Sequence, residues 1–133
     1  MSHFTTVQTQ IKDIAVLKKV LRDLGFTFTE AKANEKVLVR GYARQRAQAD
    51  IAIHISKSYD IGVVITENGV RFIADWWGVE TTRGITEQEF LKLVTKRYAV
   101  EKVKQEVSKR GYTIALEEEK QDQTIHIRLR KYA

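Results

Sequence analysis

The sequence predicts an α+β protein in which two helices pack on one face of a mainly antiparallel sheet, in the order β-α-β(several)-α-β-β. Several short segments alternate apolar and polar residues, two longer segments repeat apolar residues at helical spacing, and Asn68-Gly69 is typical of a tight hairpin turn. Because hairpins pair neighbouring strands antiparallel, we expect helices on one face and partial exposure to water on the other.

The N-terminal part of the chain predicts a strand followed by a helix. The strand covers Phe4–Ile11, and its threonines suit a pleated, half-buried surface. Its two alternating faces are Phe4, Thr6, Gln8 and Gln10, and Thr5, Val7, Thr9 and Ile11. Asp13 is suited to cap the helix and Gly25 to end it, because glycine readily adopts the positive φ of a helix C-terminus. Between them, apolar residues recur at helical spacing at Ile14, Leu17, Leu21 and Leu24.

The middle of the chain predicts five strands. They are rich in β-branched and aromatic residues, a polar loop at 30–36 separates the first two, and Glu67-Asn68-Gly69 joins the last two as a hairpin. The predicted strands are Phe26–Thr29, Val37–Val39, Asp50–Ile55, Ile61–Thr66 and Val70–Trp77.

The C-terminal part predicts the second helix and a closing hairpin. Thr86 and Glu89 have the spacing of a capping box, and Gly111 provides the next helix stop. Two strands then follow, Tyr112–Leu116 and Thr124–Lys131, which we expect to be joined by an acidic, solvated turn around Glu117-Glu118-Glu119.

Size and composition indicate one globular unit spanning residues 1–133. Of the 133 residues, 43% are hydrophobic and none is cysteine, so disulfides, thiolate nucleophiles and cysteine-based metal sites are excluded. No basic segment followed by an apolar run opens the chain, and no stretch reaches a membrane-spanning length. We therefore expect a soluble, intracellular protein.

The sequence contains no recognisable catalytic motif. His3, His54 and His126 are not spaced as metal ligands, and the glycines do not form a phosphate-binding loop. We predict no catalytic residue, no metal and no cofactor. A small enzyme whose site is assembled from residues distant in sequence stays an alternative, because such a site leaves no local motif.

Trp77 is the first candidate for a binding contact. On a strand, the successive indoles of Trp76 and Trp77 point to opposite faces, and Trp77 then shares the outer face with Arg71 and Ile73. An exposed indole in this position can anchor a partner protein or stack on a base. Coverage by the 79–85 loop is the alternative, and the sequence does not separate the two.

Arginines supply the other candidates. The segment 40–46 surrounds Tyr42 with three arginines, and the outward side of the last strand carries two more. The alternative for segment 40–46 is a mobile solvated loop. The alternative for the last strand is that its charges discourage edge pairing. The full set of candidate protein or anion contacts is Trp77, Arg71, Tyr42, Arg40, Arg44, Arg46, Arg128 and Arg130.

These features give two binding hypotheses. The first is a non-enzymatic module that binds another protein, including a homodimer in which Trp77 lies near the two-fold axis because Ile73 and Trp77 share an open face. The second, less favoured, is binding of RNA or single-stranded nucleic acid, which rests on the net charge of +6.

Five motifs together carry a resemblance to a known family. The opening Met-Ser-His-Phe-Thr-Thr and four later segments, 39–42, 59–62, 74–78 and 97–99, occur in the order typical of the hypothetical chloroplast open reading frame thirty-five family. The chain resembles this domain-of-unknown-function family of cyanobacteria and algal plastids over nearly its whole length. The resemblance implies an oxygenic phototroph, a location in the cyanobacterial cytoplasm or plastid stroma, and an accessory or assembly role near the photosynthetic apparatus. It supplies no catalytic residues.

Overall fold

The computed structural model describes residues 3–131, so Met1 and Ser2 of the opening motif lie outside the described residues. Within this range the chain forms nine strands and three helices. In chain order they are β1 (Thr5–Gln8), α1 (Ile14–Asp23), β2 (Phe28–Glu30), β3 (Val37–Arg40), β4 (Arg46–Ala49), β5 (Ile51–Ile53), β6 (Ile61–Thr66), β7 (Gly69–Ala74), α2 (Trp76–Arg83), α3 (Glu87–Lys109), β8 (Tyr112–Glu119) and β9 (Ile125–Lys131).

Five strands form the central sheet, in the order β1-β7-β6-β5-β2, and every neighbouring pair is antiparallel. The predicted hairpin between β6 and β7 is confirmed. Gly69 adopts a φ of 126°, which side chains rarely adopt, so the turn depends on glycine.

One face of the sheet carries the main core. Strand alternation places Val63 and Phe72 on this face, where the Phe72 ring meets the Phe90 ring of α3 edge-on at 5.2 Å between centroids. The apolar stripe of α1 packs into the same core, with Leu17 and Leu21 fully buried. Burying such side chains contributes about 1.5–3 kcal/mol each.

The prediction of two helices is wrong, because the described chain contains three. Trp76 and Trp77 do not continue the strand, which ends at Ala74, but begin α2. Asp75 caps the new helix by accepting the N–H of Gly78. A helix places successive side chains about 100° apart, so Trp76 enters the core while Trp77 remains outside.

The opposite face of the sheet is covered by the β3–β4 hairpin of the same chain. A Cβ atom on Gly62 would collide with Val39 of β3 and would lie 3.0 Å from Ala49 of β4, so the hairpin packs closely on the sheet at this point. Ile73 is accordingly half-buried. The expectation that Ile73 and Trp77 share an open face is therefore wrong, since Ile73 is partly covered and Trp77 lies on a helix.

The ends of α1 and α3 follow the predicted caps. Asp13 accepts the N–H of Val16 at the start of α1, and Thr86 and Glu89 form the complete capping box of α3. Beyond α3, β8 and β9 form a separate hairpin packed against it. The acidic residues expected in the turn lie instead on β8, where Glu117 and Glu119 pair with lysines of α3.

Candidate functional site

The candidate site is a pair of exposed aromatic side chains, Tyr42 and Trp77, which we call the aromatic corner. Trp77 is 54% exposed and Tyr42 is 51% exposed. Their ring centroids lie 6.4 Å apart and the ring planes meet at 76°, an edge-to-face arrangement. Two residues that are distant in sequence therefore form one apolar surface that is open to solvent.

The carboxylate of Asp75 holds the two halves of the aromatic corner together. Its Oδ1 accepts the N–H of Gly78, and its Oδ2 accepts the N–H of Tyr42, both at 3.2 Å. Asp75 is 0% exposed, so these hydrogen bonds are shielded from water. One buried side chain thus connects the start of α2 to the turn that follows β3.

Tyr59 forms the layer beneath the corner. It is buried, and its ring lies so close to Gly78 that a Cβ atom there would overlap it. Burial raises the pKa of Tyr59, and the neighbouring Asp75 carboxylate raises it further, because both disfavour a phenolate. A neutral, tightly packed tyrosine therefore supports the first turn of α2.

Charged side chains surround the corner unevenly. Arg44 is exposed and forms no ion pair with any described residue. Arg46 is also exposed, but its guanidinium donates to the carbonyls of Ala43 and Gln45, which supports the turn. Glu80 lies on α2 one turn after Trp77 and therefore on the same helix face. Arg44 thus lies on the turn that carries Tyr42, and Glu80 lies on the helix that carries Trp77.

Arg40 is a structural residue in this arrangement. Its Nε and backbone N–H both donate to one oxygen of Asp60, and its NH2 donates to the other at 2.8 Å. Asp60 is 1% exposed. Burial by itself raises the pKa of Asp60, but hydrogen bonds from Arg40 and His54 outweigh it and hold that pKa below its usual value. Arg40, which the sequence suggested as a contact for a partner, therefore binds Asp60 of its own chain.

His54 extends the network to the edge of the sheet. Its Nδ1 lies 2.9 Å from Asp60 Oδ1, and its Nε2 lies 2.7 Å from the hydroxyl of Thr29. The connectivity is that of a Ser-His-Asp triad. Arg40, however, offsets the charge of Asp60, and the pocket beside 30–36 and the pocket between α3 and β8–β9 are lined by neither Thr29 nor His54. The network ties β3 to the end of β5, and a third pocket, beside residues 55–58, is likewise lined by neither Thr29 nor His54.

The remaining candidates lie elsewhere. Arg71 is exposed on β7, three residues and so about 10 Å before the strand's end at Ala74. Arg128 and Arg130 lie on the outward side of β9, in the hairpin packed on α3. The structure therefore brings Tyr42 and Trp77 into contact, places Arg44 and Arg46 close to Tyr42 in the chain, and leaves Arg71, Arg128 and Arg130 on other elements.

Sequence analysis did not identify the residues that support the candidate site from beneath and beside it. Asp60, His54 and Tyr59 act through partners that are remote or unpatterned in sequence, so no spacing reveals them. Asp75 is different, because an aspartate three residues before a glycine N–H at a helix start is an N-cap pattern. The same pattern predicts α2. Neither the cap nor the helix was recognised, because Trp76 and Trp77 continue the strand-like run of residues before Asp75.

Residues 3–131 lack two further features. No group of three or more histidine, aspartate or glutamate side chains is placed to hold a metal ion there. None of α1, α2 and α3 combines the length and the apolar character that crossing a membrane requires.

Comparison with known proteins identifies the family. The family described as "Protein of unknown function (DUF1257)" matches residues 20–128. Proteins named "Uncharacterized protein ycf35" match over nearly the whole chain: that of Guillardia theta is 33% identical over 99% of this chain and 98% of its own, and that of Cyanophora paradoxa is 30% identical over the same shares. No solved structure matches the chain. The chain belongs to the DUF1257 family, which confirms the resemblance found in the sequence.

Proposed function

We propose that the protein is a non-enzymatic interaction module that binds another protein through the aromatic corner, as an assembly or accessory factor of an oxygenic phototroph. The observation that carries this proposal is the exposure of Trp77, at 54%, beside Tyr42, at 51%. Large aromatic side chains concentrate binding energy at protein interfaces. An indole that contributes little to the core is therefore best explained by a partner.

The rigidity of the corner supports the same proposal. The backbone of Trp77 is fixed by the first turn of α2, the backbone of Tyr42 by its hydrogen bond to Asp75, and the two rings contact each other. Preorganised anchor side chains lose less conformational entropy on binding than mobile ones do. The plastid-encoded ycf35 relatives support an oxygenic phototroph as the setting, and thus a partner among its photosynthetic proteins.

Site-specific photocrosslinking tests the proposal. A benzophenone amino acid replaces Trp77, which is 54% exposed, in one variant and Leu116, which is 44% exposed on β8, in the control. Each variant is irradiated in a native lysate of a cyanobacterium or alga. We expect discrete protein adducts at position 77 that are absent at position 116. The same adducts at both positions, or none at position 77, would contradict the proposal.

The same experiment examines self-association. An adduct of twice the chain's mass at position 77 would identify the partner as a second copy, which is the homodimer expected from the sequence. Light scattering on the unmodified protein provides the matching readout, because a dimer through Trp77 must weaken in Trp77→Ala.

Binding of single-stranded nucleic acid is the second candidate. It is favoured by Arg44, which follows Tyr42 by two residues and forms no ion pair with a described residue, and by two rings on which bases can stack. Glu80, on the same helix face as Trp77, opposes it because a carboxylate repels phosphates. Filter binding to mixed RNA tests this candidate. Retention that falls as salt rises and is lost in Trp77→Ala would favour it, and no retention at low salt would remove it.

A further inference from the structure

The aromatic corner offers ring surfaces to a ligand and little backbone. The N–H of Tyr42 donates to Asp75, and its carbonyl accepts the N–H of Gln45 across the turn. Trp77 lies in the first turn of a helix. A peptide that adds as a β-strand needs free backbone groups in a row. Since Tyr42 has none to offer, the ligand must be held by contact with the rings.

The geometry of the rings selects a ligand with flat, rigid apolar groups. Planes that meet at 76° with centroids 6.4 Å apart form the floor and the wall of a corner, and both rings are more than half exposed. A polyproline II segment presents prolyl rings from a backbone that is already extended and has no internal hydrogen bonds to break. Such segments dock on aromatic-lined surfaces and lose little entropy in doing so.

The charged residues near the aromatic corner determine which end of that segment carries acidic residues. Arg44 is exposed without an ion-pair partner among the described residues, and it stands on the Tyr42 side. Glu80 stands on the Trp77 side. Charge complementarity therefore places acidic residues of the ligand toward Arg44 and keeps them away from α2. The net charge of +6 adds a general attraction for acidic segments.

We propose that the aromatic corner binds a proline-rich segment of the partner protein, flanked by acidic residues that contact Arg44. This inference rests on the proposed function and names the chemistry of its partner. Trp77 and Tyr42 hold the prolyl rings, and Arg44 sets the direction of the chain.

Calorimetric titration of the full chain tests the inference with three synthetic peptides. The first has a short acidic run followed by prolines, the second replaces the prolines by alanine at the same charge, and the third replaces the acidic residues by glutamine. We expect saturable binding of the first, no measurable binding of the second, and weaker, salt-insensitive binding of the third. Equal binding of the first two peptides, or none of the first, would overturn the inference.

Variants of the protein locate the binding site. Trp77→Ala should weaken binding of the first peptide by about thirtyfold, as removal of an aromatic anchor does. Arg44→Ala should weaken it severalfold and reduce its salt dependence. Leu38→Ala is the control, because Leu38 is 59% exposed on β3 and lies outside the corner. Equal effects of Trp77→Ala and Leu38→Ala would overturn the inference.

Failure of this inference is distinguishable from failure of the proposed function. If no proline peptide binds but the photocrosslinker at position 77 captures a protein, the partner has another chemistry and only the present inference is wrong. If mixed RNA displaces the peptide and binds more tightly, in a manner that requires Trp77, the corner is a nucleic-acid platform and both proposals are wrong.

Discussion

The carboxylate of Asp75 accepts the backbone N–H of Tyr42 across a separation of 33 residues, at 3.2 Å. This bond joins the start of α2 to the turn after β3, and so holds one exposed ring against the other. The arrangement of the aromatic corner therefore depends on a residue that no ligand can touch.

Replacing Asp75 tests this dependence. Asp75→Ala removes the acceptor for two backbone N–H groups, one of them the helix cap, so we expect the free energy of unfolding to fall by about 2–3 kcal/mol. Urea unfolding measures it. Asp122→Ala is the control, because Asp122 also accepts a backbone N–H, from Thr124, but in an exposed turn. Equal stability of Asp75→Ala and the wild type would show that the bond does not hold the corner.

The two tryptophans should differ in how much their truncation destabilises the fold. Trp76 is 9% exposed and packs 5.9 Å from the Phe90 ring, so Trp76→Ala should cost about 3–5 kcal/mol of unfolding free energy. Trp77→Ala removes a ring that is 54% exposed, together with its edge contact with Tyr42, and should cost less than about 1.5 kcal/mol. Thermal or urea unfolding compares them, and a larger cost at Trp77 would mean that its role is structural.

A subtler substitution at Trp76 follows from its hydrogen bonding. Its Nε1 is buried and has no hydrogen-bond partner among the described residues. Trp76→Phe removes that unsatisfied donor as well as part of the ring, so its cost should be well below that of Trp76→Ala. Unfolding data that show equal costs for the two variants would indicate that Nε1 is satisfied in solution.

The sequence predicts the locally encoded parts of this fold. The caps at Asp13 and Thr86 and the turn at Gly69 depend on neighbours within a few residues, and the structure contains all three. β4 was missed because its residues, Arg46-Ala-Gln-Ala49, have low β-propensity and form a strand only by pairing with β3. α2 was missed because its bulky residues continue a strand-like run.

The candidate site also has a part that the sequence predicts and a part that it does not. Tyr42 and Trp77 are recognisable as exposed aromatic candidates, but their contact depends on how the β3–β4 hairpin folds onto the sheet, which no local pattern specifies. The partners of Asp60 are similarly separated, by 20 residues for Arg40 and by 6 for His54. Long-range hydrogen bonds of this kind require the tertiary structure.

The Asp60 network predicts a pH dependence of stability. The pKa of Asp60 is lower in the folded chain than in the unfolded one, so the unfolded state binds a proton first as pH falls. Its contribution is complete above the unfolded value, about 3.9, and is lost as pH falls through the lower folded value. We expect the free energy of unfolding to decrease with acidification below about pH 5.

Asp60→Asn isolates this contribution. The variant should be less stable than the wild type at neutral pH by about 3–5 kcal/mol, because it leaves Arg40 without its buried partner. Its unfolding free energy should then fall less steeply than that of the wild type below about pH 5. Identical slopes in urea unfolding at several pH values would show that Asp60 is not the group responsible.

Gly78 should gain no stability from a side chain, although it lies in a helix. Alanine has the higher helix propensity by about 1 kcal/mol, yet a Cβ here overlaps the buried Tyr59 ring, and such overpacking costs about 1–3 kcal/mol. Gly78→Ala should therefore be destabilising or neutral, whereas the exposed Glu80→Ala on the same helix should be within about 0.5 kcal/mol of the wild type. Clear stabilisation by Gly78→Ala would contradict the packing described.

The most direct test of the interaction surface uses the two tryptophans as site and internal control. The chain has only these two, so fluorotryptophan labelling gives two fluorine resonances, assigned with Trp77→Phe. In a native lysate of a cyanobacterium or alga, binding at the aromatic corner should shift or broaden the Trp77 resonance and leave that of the buried Trp76 at its position. An unchanged Trp77 resonance, or equal changes at both, would contradict the proposal that this surface binds a partner.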